Sequence, residues 1–199
     1  DAHGRSIGMS GELALDRDGS FLAARYEFEC DMGAYPTPGA AGHVRNVVTC
    51  MTGVYRTPAL HGKFKVVLTN ASPVMAYRGA GRPDIAYFVE RLVDKAAVEF
   101  KIDRAELRRR NFIPLAAFPY TSPTGGVYEH SDFGGCLEKS LIAADWAGFE
   151  SRRAAARKAG RLRGIGLSVV IEQTNPGQHP TNQAALEFEG DGGITLYTS

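Results

Sequence analysis

A glycine–arginine loop, Tyr77-Arg78-Gly79-Ala80-Gly81-Arg82, separates a strand-like stretch from a helix-like one and limits the folds open to this chain. Residues 63–69 place Phe64, Val66 and Leu68 on one side and Lys65 and Val67 on the other, which predicts a strand. Beyond the loop, Ile85, Phe88, Val89, Leu92, Ala96 and Phe100 recur at helical spacing, with Pro83 suited to the first turn. Gly79 and Gly81 permit positive φ and close approach of a bound group. A helix N-terminus flanked by Arg78 and Arg82 favours an anionic or oxo-bearing group. The competing reading is a glycine-rich connector with solvated arginines.

Two further segments, 3–15 and 21–32, are extended and joined by Asp16-Arg17-Asp18-Gly19, a hairpin signal. Residues 44–54 fit a short helix through Val44, Val47, Val48 and Met51. Asp103 opens another helix in the manner of a capping box with Glu106. Its Arg108, Arg109 and Arg110 read by default as a solvated face. Ser131 or Asp132 caps a helix striped by Phe133, Leu137 and Leu141. A short basic helix follows, closed by Gly160. Residues 164–171 read as an apolar strand, 172–182 as a polar loop, and 184–189 with 194–197 as a hairpin.

These elements predict an α+β fold of mixed β-sheets with helices packed on one face, in lobes. Residues 1–150 form a first lobe, 151–163 a basic linker helix, and 164–199 the start of a second lobe. The first and last residues, Asp1 and Ser199, suggest an internal piece of a longer polypeptide.

Composition excludes several classes. At 199 residues the chain can bury a core, and a net charge of +1 gives no general attraction to nucleic acid or membranes. No apolar run approaches a membrane span. Cys30, Cys50 and Cys136 have no metal-ligand spacing and read as buried thiols of a reducing, cytoplasmic compartment. No metal ligands are expected from this chain. A Gly-x-Ser-x-Gly nucleophile motif is missing, and Asp84 stands where a dinucleotide fingerprint needs its third glycine. Glu187 and Glu189 share one side of a strand and read as a wet face. The basic residues of 152–163 lack interleaved aromatics, so a linker helix is favoured over a nucleic-acid stripe. Tyr120, Tyr128 and His130 form a possible pocket lining, and Glu172 and Gln173 open a loop that could face a substrate.

The string Ala76-Tyr-Arg-Gly-Ala-Gly-Arg-Pro83, with Glu90 and then Arg109-Arg110-Asn111, resembles the molybdenum-binding large subunit of the xanthine dehydrogenase, aldehyde oxidase and aerobic carbon monoxide dehydrogenase family. His3-Gly4-Arg5, Tyr55-Arg56-Thr57-Pro58 and Gly164-Ile-Gly166 agree in order. The resemblance implies a molybdopterin-dinucleotide molybdenum cofactor, a small-molecule substrate oxygenated from water, and iron–sulfur small and flavin medium subunits as partners. It makes Arg78 the catalytic residue beside the metal, with Tyr77, Arg78, Gly79, Ala80, Gly81 and Arg82 as cofactor-binding residues. Arg82 is expected at the pterin phosphate or paired with a carboxylate such as Asp84. Gly79 stands where true carbon monoxide dehydrogenases carry a copper-holding cysteine, so no copper is expected. Ala80 and Asn46 replace the phenylalanine and arginine of purine enzymes, which leaves a carbon monoxide dehydrogenase-like, aldehyde- or N-heterocycle-oxidising enzyme. The catalytic glutamate lies outside the chain, so the piece alone is expected to be inactive. The alternative is a non-catalytic homologue or assembly domain.

Overall fold

The computed structural model describes residues 2–172 and 184–198. β1 (Ile7–Leu15) and β2 (Phe21–Asp31) pair antiparallel, as the Asp18-Gly19 turn dictates; Gly19 takes φ 87°. A register shift at Ala14/Leu15 inserts one extra residue, Leu22, into β2. This bulge switches side-chain parity, so Phe21 and then Ala24, Tyr26, Phe28 and Cys30 all reach the core.

β3 (Ala59–Val67) completes a three-stranded sheet in the order β1-β2-β3, running parallel to β2. The strand begins four residues before the expected 63. Pairing of Ala59 with Ala23 sets its start, and Ala59-Leu-His-Gly carries no alternation that would announce a ladder. Val66 of this edge strand and Leu68 just beyond it are 53% and 62% exposed.

The parallel crossover contains α1 (Ala40–Thr49), four residues ahead of its predicted start. Ala40, His43 and Val47 form its buried stripe, which the small residues Ala40-Ala41-Gly42 hide from an apolar-periodicity reading. α2 (Arg82–Phe100) lies on the inner face of the sheet and touches β1, α1 and α3 (Arg104–Asn111). Its Phe88 packs edge-on against Tyr26 at 5.3 Å, while Phe28 stacks on Phe64 at 4.5 Å. Gly11 is required here: a Cβ would sit 2.7 Å from the Tyr26 ring and 2.9 Å from that of Phe88.

Asp103 caps α3 by accepting from the N–H groups of Ala105 and Glu106 at 2.9 and 3.0 Å. Glu106 turns to Arg109 and Arg110, so the reciprocal half of the capping box gives way to ion pairs. Asp132 caps α4 (Phe133–Ala143), and α5 (Phe149–Lys158) follows, with Gly160 at φ 70° just beyond it. Two short strands, β4 (Tyr120–Thr121) and β5 (Val127–Tyr128), pair locally, and β6 (Ala184–Phe188) with β7 (Ile194–Thr198) makes the expected hairpin.

Three expectations are corrected. Residues 164–171 form no strand and join no ladder among the described residues, because apolar alternation does not by itself supply a partner strand. Arg108 is not solvated. It is fully buried between α2 and residue 167, while Arg109 and Arg110 stay at the surface, since successive helical residues turn about 100° apart. Of the cysteines only Cys30 is buried, with its thiol pushed up to about 11 by burial and by nearby Asp84. Cys50 is half-buried, and Cys136 is exposed on α4.

Candidate functional site

The loop between β3 and α2 is built from left-handed backbone. Gly79, Ala80 and Gly81 take φ of 86°, 39° and 89° in succession. Two short backbone hydrogen bonds close it, from Ala80 N–H to Tyr77 O at 2.6 Å and from Arg82 N–H to Gly79 O at 3.1 Å. A Cβ on Gly81 would lie 2.2 Å from the His43 carbonyl, so only glycine lets the loop seat on α1. Ala80, which does carry a Cβ, is forced into the same region by its two neighbours.

Distant residues fix the loop's outward shape. Arg5 donates through Nη2 to the Arg78 carbonyl at 2.9 Å, and its guanidinium lies 5.1 Å from the centre of the Tyr77 ring. Gly4 packs beneath Tyr77, where a Cβ would come within 2.6 Å of the Tyr77 Cβ. On the other flank, Asn46 of α1 donates through Nδ2 to the Ala80 carbonyl at 2.9 Å. The backbone carbonyls of the loop are therefore engaged, while the Arg78 side chain is exposed and has no ion-pair or hydrogen-bond partner among the described residues.

The side chain of Arg82 is only 14% exposed. It pairs with Glu172, Nη1 to Oε1 at 2.8 Å, and not with Asp84, the carboxylate nearest along the chain. Asp84 instead faces His43 Nε2 at 3.8 Å. His43 is buried, and that burial lowers its pKa; the Asp84 charge opposes the shift and the Arg5 charge adds to it.

Tyr77, Arg78, Gly79, Ala80, Gly81 and Arg82 are thus brought together as one held loop. Sequence reasoning does not find Arg5 and Asn46 as supports; His3-Gly4-Arg5 stands out in the sequence only as a matching string. Of the expected lining, Tyr120 and Tyr128 face each other across β4 and β5 with ring centres 6.1 Å apart, while His130 packs on Phe118. The Tyr128 hydroxyl donates to the Gly53 carbonyl at 3.0 Å, and His130 is exposed. Gln173 lies outside the described residues. The basic residues of α5 are partly neutralised, Arg152 by Asp145 and Arg153 by Glu150. Among the described residues no cluster of His, Cys, Asp and Glu is arranged to hold a metal ion, and no helix is long and apolar enough to cross a membrane.

The loop's donor set consists of a guanidinium, a phenol and backbone N–H groups, and the adjacent carboxylate, Glu172, is held by Arg82. Such a set suits an anionic, oxygen-rich group. A family model described as the molybdopterin cofactor-binding domain matches residues 1–112. The chain belongs to this family.

Over 88% of its length, this molybdopterin cofactor-binding domain is 36% identical to the carbon monoxide dehydrogenase large chain of Hydrogenophaga pseudoflava, and it covers 23% of that protein. It is 33% identical, over 82% of its length, to the nicotine 6-hydroxylase large subunit of Paenarthrobacter nicotinovorans, covering 20% of it. The solved structure of quinoline 2-oxidoreductase from Pseudomonas putida 86 superposes on 99% of the chain with a TM-score of 0.86 at 31% identity, and the match spans 27% of that chain. The domain therefore corresponds to roughly a quarter of these relatives. The family and fold expected from Ala76-Tyr-Arg-Gly-Ala-Gly-Arg-Pro83 hold.

Proposed function

We propose that this chain is part of the large subunit of a molybdenum hydroxylase and forms one wall of the cofactor pocket through residues 76–83. The observation that carries the reading is the loop itself. Its backbone is pinned by Arg5 and Asn46, and it projects an Arg78 guanidinium that no described residue neutralises. A preorganised, uncompensated donor of this kind is suited to an oxygen that gains negative charge during a reaction.

In this reading Arg78 holds oxygen at the molybdenum end of the pocket, and Tyr77 flanks it. Gly79, Ala80 and Gly81 let the cofactor lie against backbone, and Arg82 stands behind the loop near the pterin. The molybdenum cofactor, when bound, supplies the two-electron oxidation with water as the oxygen source. The residues of this chain orient the group, exclude side chains from its face and stabilise charge; Arg78 accounts for roughly 3–4 kcal/mol if its donors act like other preorganised ones. The cofactor is the dinucleotide form, and Gly79 offers no thiolate for copper. Residues 1–150 make the first lobe, 151–163 the linker helix and 164–199 the start of the next lobe.

The whole protein works with iron–sulfur and flavin subunits in the cytoplasm on a small-molecule substrate. The substrate class is that of a carbon monoxide dehydrogenase-like enzyme or of an aldehyde- or N-heterocycle-oxidising one; the relatives' names include a carbon monoxide dehydrogenase, a nicotine hydroxylase and a quinoline oxidoreductase. The test is to purify the full-length protein with its copurifying subunits and to measure molybdenum, pterin, and the nucleotide released by acid hydrolysis. All three are expected near one per large subunit. Absence of molybdenum and pterin, under conditions that load a relative, establishes instead a non-catalytic homologue that keeps the fold.

A further inference from the structure

Residues 164–171 have no strand partner among the described residues, yet they are held in place by side chains. The Val169 N–H donates to Glu90 Oε2 at 2.9 Å, and Arg108 Nη2 donates to the Leu167 carbonyl at 3.2 Å. Val169 and Ile171 pack against the core. The segment so fixed ends at Glu172, whose carboxylate meets the largely buried Arg82 at 2.8 Å and passes 3.9 Å from the place of a Cβ on Gly79. Arg82 is both the first residue of α2 and the donor that closes the loop through Gly79 O. Behind it remains a cavity of about 10 Å³, lined by Cys50, Arg82, Glu90, Val169 and Ile171. That space holds one water at most, so the guanidinium cannot move further inward, where the Cys50 side chain already meets it.

We propose that Glu172 is a positioning residue for the Arg78 loop: by holding Arg82, the first residue of α2, from the 164–172 segment, it sets how the loop joins the helix and so where Arg78 is presented. The role rests on the cofactor-pocket reading given above. Glu172 therefore acts through Arg82 and does not face the substrate, the role its place at the start of a polar loop suggests. A half-exposed ion pair contributes little to folding. Its loss changes the geometry of the loop and leaves the stability of the domain nearly untouched. Supporting partners one step removed from a metal centre commonly change metal affinity or activity by 10–100-fold.

The experiment uses the full-length protein with its partner subunits, comparing wild type, Glu172→Gln and Glu172→Asp. Molybdenum and pterin per large subunit are followed during prolonged dialysis, and the Tm is recorded for each. Glu172→Gln is expected to lose cofactor about tenfold faster than wild type, with a Tm within about 2 °C of it. Glu172→Asp, which keeps the charge, is expected to stay within about threefold of wild type. The proposal is overturned if Glu172→Gln retains cofactor as wild type does, if it loses cofactor only together with a fall in Tm, or if Glu172→Asp fails as badly. A wild type that never carries molybdenum or pterin removes the cofactor reading itself, and this role falls with it.

Discussion

Glu90 of α2 and Arg108 of α3 form a buried ion pair, with Arg108 Nη2 2.8 Å from Glu90 Oε2. Asp94 stands 2.9 Å from the same nitrogen, and Tyr55 donates its hydroxyl to Glu90 Oε1. Burial, reinforced by the Glu90 charge, raises the Tyr55 pKa well above its ordinary value, so the phenol stays a donor. Burial works against the Arg108 charge, but its acidic neighbours and the Tyr55 contact outweigh that and hold its pKa above the usual range. This cluster joins α2, α3, Tyr55 and residues 167–169, and so carries the frame on which the Arg78 loop is mounted.

Removing Arg108 leaves Glu90 buried without a counter-charge, while Asp94 keeps only Arg104 at 3.9 Å. Arg108→Ala in the full-length protein is expected to cost about 3–5 kcal/mol in chemical denaturation. Arg109→Ala, at a residue 42% exposed by side chain, is expected to cost no more than about 1 kcal/mol. Equal effects at the two positions would contradict the buried pair.

Gly81 has no room for a side chain and sits at φ 89°. Gly81→Ala is expected to destabilise the protein by about 1–3 kcal/mol and to lower molybdenum content. Gly42 of α1 has open space within 4 Å of where a Cβ would stand, so Gly42→Ala is expected to stabilise by about 0.5–1 kcal/mol. Urea titrations of both variants, with metal analysis, check the contrast.

Arg78→Lys keeps the charge and loses the planar fork. In cofactor-loaded enzyme it is expected to reduce turnover by about 100-fold or more, with Tm unchanged because the side chain is exposed and unpaired among the described residues. Turnover equal to wild type at full molybdenum loading would count against the role assigned to Arg78.

His43 is buried with its pKa lowered, so the folded protein binds a proton less readily than the unfolded chain. Its contribution to stability is complete above the unfolded value of about 6.5 and declines as pH falls toward the folded value, by at most about 1.4 kcal/mol per pH unit. Denaturation curves between pH 7.5 and 5 are expected to show this loss in wild type, and a smaller one in His43→Gln.

The loop is the most legible part of the site. Gly79, Gly81 and Pro83 between a strand pattern and a helix pattern already imply left-handed backbone and a helix start. The same reasoning misplaces Arg108 because three adjacent arginines look alike until the neighbours of each helix face are known. It misses Arg5 because an exposed arginine 73 positions from its acceptor carries no local mark. It offers Arg82 a pterin phosphate or a carboxylate such as Asp84, and the carboxylate that reaches it is Glu172.

By itself the sequence determined the β1–β2 hairpin, the bounds of α2 to within a residue, the Asp103 cap that starts α3, and the positive-φ character of the loop. Turn residues, caps and hydrophobic periodicity act over a few positions, and they carry the same instruction in any setting. Only the tertiary structure decided that β3 runs parallel beside β2, that Arg108 is buried, and that Arg5, Asn46 and Glu172 converge on the Arg78 loop. Those partners are remote along the chain, and their contacts come from the packing of helices on a sheet, which selects among side chains that local chemistry treats as equivalent.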